Sequence, residues 1–365
     1  MKKSLLAIAV LGAFTSVAQA QSSVTLSGML DAGVRRVGTA TASDWSLGGS
    51  QSGYNNFTLS GREDLGGGMR AFFAMNHRFN INNGVPNSQN NTCSGAIPSP
   101  TPAVCSPINT FWRNIWVGLG GDFGDVRLGR ILMPLQDMNG GFDAFNTGTV
   151  GSTHTGGITA TIRANNAIYY RSPSLGGLSV HAAIAAGEGQ LQGETANNVG
   201  NVAPRGALGG QERPVGFNVR YAAGPLNVGV AYDKNYADFK TTGFYGSYDF
   251  GAFKLMGQYE KGDSSNAAGT ILEDIKAMSV GVTAPFGPVL MRAGYVRFDS
   301  NRNTCANAIV STGTSACDSS KFGFGGDYNL SKRTNLYATV GKSTGNRLTV
   351  AQKKAAFDIG VTHRF

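Results

Sequence analysis

Short alternating segments separated by tight turns are the feature that most limits the fold of this chain. Apolar and polar residues alternate in SVTLSGMLDAGV (23–34), LNVGVAYD (226–233) and MSVGVTAPF (278–286), as they do in strands with one apolar and one hydrophilic face. Tight connections rich in Gly, Pro and Asp let the chain reverse between such segments; they are EDLGGG (63–68), GGDFGD (120–125), SLGG (174–177), AAGP (222–225), DFGA (249–252), PFGP (285–288) and LSKR (330–333). The sequence therefore predicts an all-β chain of hairpins.

The number of turns predicts the number of strands. Seven turns imply seven hairpins, one alternating segment precedes the first hairpin, and AAFDIGVTHRF (355–365) follows the last, so the expected total is sixteen strands. The other connections are long and rich in Asn, Ser, Thr and Gly, at about 80–110, 134–161, 188–214, 263–275 and 300–320. Short turns at one end and long loops at the other indicate a 16-stranded antiparallel transmembrane β-barrel. A secreted soluble all-β binding protein remains an alternative, because a β-sandwich alternates too.

The N-terminus resembles an export signal. MKKSLLAIAVLGAFTSVAQA begins with two lysines, continues with an apolar core from Leu5 to Phe14, and ends on a small-x-small cleavage site. We expect residues 1–20 to be a signal peptide and residues 21–365 to form the barrel. The apolar core is about ten residues, whereas a spanning helix needs about 20. No later run in the chain is long enough either.

Composition excludes several functions. The formal net charge is +9, but the basic residues form no run or amphipathic helix, so we expect no nucleic-acid partner. The four histidines form no metal-binding pattern and no G-x-S-x-G motif is present, so we expect no cofactor, no metal and no enzyme activity. An outer-membrane barrel hydrolase or protease is the enzymatic alternative.

Several segments resemble a known family. SSVTLSGMLDAGV, GREDLGGGMRAFF, WVGLGGDFGDVRLGR, IRANNAIYYRSP and the terminal VTHRF are similar to the general porins of Gram-negative bacteria, particularly those of Bordetella- and Burkholderia-like β-proteobacteria. The resemblance implies a homotrimer in outer-membrane lipid and lipopolysaccharide, inserted by the barrel-assembly machinery. It also implies a water-filled channel for ions and small hydrophilic solutes, narrowed by an inward-folded third long loop at about 134–161.

Charges inside such a channel would bias which solutes enter. Alternation places Arg163, Asn165, Ala167, Tyr169 and Arg171 on one polar face, Arg70 and Arg78 on another, and Arg35 and Arg62 on the polar faces of their own strands. The resemblance points to Arg113 and Arg163 as the basic wall of the constriction. It also places Asn56 where related porins commonly carry a third arginine, for which Arg78 or Arg35 could compensate.

The third long loop carries Asp137 and Asp143 as its carboxylates, with His154 as a further polar group. Asp143, in FDAF, matches the position where loops of the family carry an acidic residue. Because the wall has more arginine than the loop has carboxylate, we expect a mild preference for anions.

Three further features have expected roles. Arg130 shares the apolar parity of Val126 and Leu128, and an arginine facing lipid costs roughly 2–4 kcal/mol, so we expect Arg130 at a subunit contact or near the headgroups. Four cysteines allow three disulfide pairings, and proximity in sequence favours Cys93 with Cys105 and Cys305 with Cys317. We expect the last strand to pair with the first, and Phe365 resembles the terminal aromatic signal for outer-membrane assembly.

Overall fold

A computed structural model of the chain describes residues 23–38, 43–49, 52–84, 91–94, 104–107, 112–154, 162–186, 213–235, 239–265, 271–300, 318–345 and 353–365. The expected signal peptide, Cys305 and Cys317 lie outside these residues. The described part contains one short α-helix, α1 (Pro134–Asn139), followed by a 3-10 turn at Gly140–Phe142. No helix among the described residues combines the length and apolar character that crossing a membrane requires.

The rest of the described structure is almost entirely strand. The strands are β1 (Ser23–Gly38), β2 (Ser43–Gly49), β3 (Asn56–Gly66), β4 (Met69–Arg78), β5 (Asn91–Ser94), β6 (Val104–Pro107), β7 (Trp112–Gly121), β8 (Gly124–Leu132), β9 (Arg163–Arg171), β10 (Leu178–Ala185), β11 (Val215–Ala223), β12 (Leu226–Lys234), β13 (Lys240–Asp249), β14 (Lys254–Ser265), β15 (Ile271–Phe286), β16 (Val289–Ser300), β17 (Ser319–Asn329), β18 (Thr334–Gly345) and β19 (Ala356–Arg364).

These strands form a closed antiparallel barrel. β3 pairs with Ser23–Met29 of β1 and β2 pairs with Ala32–Gly38, so β2 and β3 are two parts of one barrel strand. β5 and β6 form a separate hairpin. The remaining strands pair in sequence order, and β19 pairs with β1 from Met29 opposite Arg364 to Arg36 opposite Phe357. The predicted 16-stranded antiparallel barrel is confirmed.

The two faces of the wall differ as the alternation predicts. In β1 the side chains of Val24, Leu26 and Val34 are exposed, whereas Asp31 is completely buried. The tight turns are held by glycines in the left-handed region, such as Gly66, Gly67 and Gly68 with φ of 80°, 60° and 78°, a conformation that other residues rarely adopt. The exposed apolar face is the lipid-facing exterior of a membrane barrel, and the polar face lines its interior.

The last residue is part of the closure of the barrel. The Gly28 amide donates to the Phe365 carbonyl at 3.0 Å, and the Phe365 amide donates to the Gly28 carbonyl at 3.1 Å. The Phe365 ring packs so closely on Gly28 that a Cβ there would lie 2.5 Å from it. Pairing of the last strand with the first removes the sheet edges that would otherwise be exposed.

A bulge in β9 changes the predicted face of one segment. The register moves from Gly129 opposite Ala167 to Ile131 opposite Ala164, and Asn166 has a φ of 50°. The prediction that Arg163, Asn165, Ala167, Tyr169 and Arg171 share one face is therefore wrong, because an extra residue reverses the alternation beyond it.

The first pair of cysteines lies on neighbouring strands. β5 and β6 form a hairpin in which Cys93 is opposite Cys105. A hairpin within the long connection at 80–110 was not predicted from the sequence.

Candidate functional site

The third long connection begins with α1, which packs on the wall. The Asn218 side-chain amide of β11 donates to the Pro134 carbonyl at 2.7 Å, and the Asn139 side chain bonds to the Glu260 carboxylate of β14. The Phe142 ring lies 5.4 Å from the Tyr245 ring of β13. Glu260 follows the exposed Tyr259 and is itself completely buried. These contacts are therefore made with the polar side of the strands.

The tip of the same connection contacts the other half of the wall. The Val150 amide donates to Asp358 Oδ2 at 2.7 Å, and the Gly151 amide donates to Thr339 Oγ1 at 3.3 Å. Asp358 is buried between Phe357 and Ile359, which are both exposed. The tip therefore lies against the polar side of β18 and β19.

Asp143 uses both of its oxygens inside the connection. It accepts hydrogen bonds from the Thr147 amide at 2.8 Å, the Ser152 hydroxyl at 2.7 Å, and the Thr153 amide and hydroxyl at 3.1 and 3.2 Å. Its side chain is buried, whereas Asp137 on α1 keeps 47 % of its side chain exposed and lies 3.4 Å from His181 Nδ1. Asp143 therefore organises the loop, and Asp137 is the more accessible carboxylate.

His154 carries no charge at neutral pH. Burial lowers the pKa of its imidazole to about 4, even though the nearby Asp143 carboxylate acts in the opposite direction. Its backbone amide lies 3.4 Å from the Ser152 hydroxyl. His154 therefore adds polarity but not positive charge to this region.

Three of the predicted wall residues lie together, and we call Arg78, Arg113 and Arg163 the arginine cluster. Arg113 and Arg163 are only 8 % and 5 % exposed, and Arg163 Nε donates to Asn114 Oδ1 at 2.7 Å. The Arg78 guanidinium lies 3.7 Å from the centre of the Tyr54 ring. The charges of Arg78 and Arg113 both act on Arg163, so the cluster concentrates positive charge beside β4, β7 and β9.

Asn56 and Arg35 occupy different surroundings. Asn56 lies on β3 next to β4, and its Oδ1 accepts a hydrogen bond from Asn76 at 3.2 Å. Arg35 pairs with Asp358 in the register of β1 and β19, at the seam where the barrel closes. Asn56 therefore adjoins the arginine cluster, while Arg35 belongs to the seam.

A second basic group was not predicted, and we call Asp125 with Arg70, Arg127 and Arg171 the Asp125 cluster. Asp125 bonds to Arg70, and its Oδ2 lies 2.8 Å from Arg171 Nη2 and 3.6 Å from Arg127 Nη2. The Arg127 guanidinium also lies 4.6 Å from the centre of the Trp116 ring. Each charged residue follows or precedes a tight turn by a few positions. The four residues therefore lie at a similar distance from the tight-turn end of the barrel, and this was the signal available in the sequence.

Arg130 lies on the outer side of the wall. It lines a groove of about 700 Å³ together with apolar residues that include Phe73, Met75, Ile115 and Leu128. Its Nη1 donates to Asn165 Oδ1 at 2.5 Å. The β9 bulge places Asn165 in this groove instead of on the polar face.

The site has no feature of a metal centre in the part of the chain that the structure describes, where no three His, Cys, Asp or Glu side chains are placed to hold an ion. The described arrangement is a barrel with charged side chains on the polar side of its strands and a connection whose described residues contact that side.

Comparison with known proteins identifies relatives that are all described as porins. The family model described as Gram-negative porin matches residues 7–348. The chain is 33 % identical to outer membrane porin protein 32 of Delftia acidovorans, over 93 % of this chain and 89 % of that protein. It is 28 % identical to an outer membrane porin protein of Bordetella pertussis, with both chains fully covered.

Solved structures share the fold. The anion-selective porin from Comamonas acidovorans superposes with a TM-score of 0.71 at 26 % identity, covering 94 % of this chain and all of that one. The trimer form of OmpT from Vibrio cholerae superposes with a TM-score of 0.65 at 14 % identity, over 94 % of this chain and 99 % of that one. The chain therefore belongs to the Gram-negative porin family, as an outer-membrane barrel through which small hydrophilic solutes diffuse passively.

Proposed function

We propose that this porin has a mild preference for anions, and that the described part of the third long connection, residues 134–154, lies in the lumen and forms its constriction. The observation that carries the proposal is the arginine cluster beside β4, β7 and β9. Fixed charge in a narrow pore favours counter-ions, because the wall has a low dielectric constant and concentrates the field.

The carboxylates do not cancel this charge. Asp143 is buried and its oxygens accept hydrogen bonds from its own loop, and Asp125 is shared among three arginines. Asp137 is the exposed carboxylate of the connection. The inner wall on this side therefore keeps an excess of positive charge.

The relatives support the remaining parts of the proposal. The Comamonas porin is described as anion-selective, and OmpT has a trimer form, so we assign a homotrimer to this chain. Export with cleavage after Ala20, contact with lipopolysaccharide, and insertion by the barrel-assembly machinery belong to the same proposal. We assign no enzyme activity, because the matched family consists of channels.

Planar-bilayer recording in a salt gradient tests this function. The reversal potential of the parent protein should show a preference for chloride over potassium. Arg78→Gln and Arg113→Gln should each lower the anion-to-cation permeability ratio about two- to fivefold, since one charge near a pore changes ion energies by roughly 1 kcal/mol.

Arg297→Gln is the matched control, because Arg297 lies half-exposed on β16 and pairs with Asp299 at 2.8 Å. Heat-modifiable mobility on gels checks that each variant has folded. A parent reversal potential that indicates cation preference, or one that is unchanged in both cluster variants, would contradict the proposal.

A further inference from the structure

A cavity of about 370 Å³ lies between the tip of the third connection and strands β16, β17 and β18. We call it the strand–loop cavity. It is separate from the arginine cluster and the Asp125 cluster, which involve β4, β7, β8 and β9. Its volume falls within the range of small-molecule sites, roughly 300–1,000 Å³.

Five of the described residues that line this cavity carry hydroxyl groups, namely Thr147, Ser152, Ser319, Ser320 and Ser343. The Ser152 hydroxyl donates to Asp143 and the Ser320 hydroxyl bonds to Thr344, so the hydroxyl groups offered to a solute are those of Thr147, Ser319 and Ser343. A hydroxyl both donates and accepts hydrogen bonds, so such a lining matches a solute that also carries hydroxyls. Val296 and Phe298 add apolar surface. Alternating polar and apolar surface is what the hydroxyl groups and C–H faces of a sugar ring require.

The charges around the cavity are of both signs. Lys321 lines it, but the carboxylates of Asp143 and Asp358 both act on that ammonium group. The His154 imidazole is neutral at pH 7, with a pKa of about 4. Among the described residues the surroundings of the cavity therefore carry no excess of positive charge, unlike the arginine cluster.

The loop side of the cavity has a strained backbone. Asn146 and Thr147 are consecutive non-glycine residues with φ of 52° and 64°, and such residues persist only where their surroundings hold them. The Thr147 amide donates to Asp143 Oδ2 at 2.8 Å, which holds this turn. The strained turn brings Thr147 into the lining, and strain of this kind is concentrated at functional sites.

We propose that the strand–loop cavity is a subsite for a neutral polyhydroxy solute of monosaccharide size, held beside the diffusion path. Its hydroxyl groups exchange hydrogen bonds with the solute, and Phe298 contacts a C–H face of the ring. Binding is weak, because a permeating solute must leave as readily as it enters. The inference rests on the channel itself and not on its preference for anions.

Ion current through single trimers in planar bilayers, recorded with added glucose, tests the subsite. Polyethylene glycol of equal hydrodynamic size serves as the comparison, since it fills the pore but donates no hydrogen bonds along its chain. Glucose should lower the conductance of the parent in a saturable way and add current noise. Polyethylene glycol should lower it in proportion to concentration only.

The variant Ser319→Ala/Ser343→Ala should raise the half-saturating glucose concentration about tenfold, as expected for the loss of hydrogen bonds to a bound solute. Ser247→Ala is the matched control, because Ser247 is a buried serine of β13 outside the cavity. It should behave as the parent does.

Three results would overturn the inference. The first is a glucose effect that matches the polyethylene glycol effect in the parent. The second is a saturable glucose effect that is unchanged in the double variant. The third is saturable block by phosphate without block by glucose, which would identify an anion site. A parent without any conductance would instead contradict the channel function.

Discussion

The carboxylates on the inner wall differ in what their oxygens bind. Asp358 accepts from the Val150 amide at 2.7 Å and so holds the third connection to the wall. Asp125 instead lies between guanidinium groups. A carboxylate that accepts from backbone amides, such as Asp358, stabilises the position of the connection. Asp125 instead determines how much of the positive charge of the arginines is neutralised.

Asp125→Asn should therefore strengthen the preference for anions. The amide keeps one accepting oxygen near Arg70, Arg127 and Arg171, replaces the other with an NH2 donor, and removes one negative charge. We expect the chloride-to-potassium permeability ratio to rise about two- to fivefold, corresponding to roughly 1 kcal/mol for one charge beside a water-filled pore. Reversal potentials in a salt gradient measure the change.

Asp249→Asn serves as the control for this variant, because Asp249 is exposed at a tight turn and its Oδ1 accepts from the backbone amide of Gly251 at 2.8 Å. A permeability ratio that stays constant or falls in Asp125→Asn would show that Asp125 does not limit the positive charge of the wall.

At the scale of elements, the third connection is held where strands lack side chains. Gly323 of β17 is so close to the connection that a Cβ would lie 1.9 Å from the Gly151 carbonyl oxygen. Gly341 of β18 approaches the Val150 carbonyl in the same way, at 2.0 Å. Because both contacts are with backbone atoms, small residues on the wall allow the loop tip to pack there.

Gly323→Ala should displace the loop tip and alter the pore. Overpacking of this kind costs about 1–3 kcal/mol, and the displacement should break the Gly151 hydrogen bond to Thr339. We expect a changed and more variable single-channel conductance in planar bilayers. Gly257→Ala on β14 should leave conductance unchanged, because a Cβ there would lie 3.5 Å from the Ser279 carbonyl oxygen, an ordinary contact. Equal effects of the two variants would contradict this account of loop anchoring.

The strands could be predicted from the sequence, whereas the bulges could not. Tight turns rich in Gly, Pro and Asp separate the strands, so their number and order follow from local chemistry. The inward and outward faces of the segment FWRNIWVGL could not be predicted, because apolar residues occupy both alternating sets of its positions. Its register shifts so that Trp112 is opposite His77 and Asn114 is opposite Asn76, and a bulge of one residue reverses the face of every residue beyond it.

The same limit applies to the candidate site. Alternation identified polar faces for Arg70 and Arg171, but only the distance of each residue from a tight turn indicates which residues of different strands lie at the same level. The Asp125 cluster depends on that level, because it joins residues of β4, β8 and β9. Buried loop contacts such as those of Asp143 depend on tertiary packing and have no periodic signal.

At the scale of the whole molecule, the outer surface is not uniform. The outer side of the described wall exposes many apolar side chains, but the outer side of β4, β7, β8 and β9 also has a groove that contains Arg130. An arginine that faces lipid near the middle of a membrane costs roughly 2–4 kcal/mol, and the Nη1 atom of Arg130 donates to Asn165 Oδ1 within this groove. An arginine at this position is explained more readily if a second subunit covers the groove.

Arg130→Ala distinguishes a subunit contact from exposure to lipid. If Arg130 lies at the trimer contact, its removal should lower the temperature at which trimers dissociate in gel-shift melting. If it faces lipid near the membrane centre, removal relieves a cost of roughly 2–4 kcal/mol, and the trimer should melt at the same temperature or higher. Arg297→Ala is the matched control, because Arg297 is an exposed arginine on β16, a strand that does not line the groove. A lower dissociation temperature in Arg130→Ala but not in Arg297→Ala therefore assigns the groove to the contact between subunits. Loss of a positive charge or of an exposed arginine as such would lower the dissociation temperature of both variants.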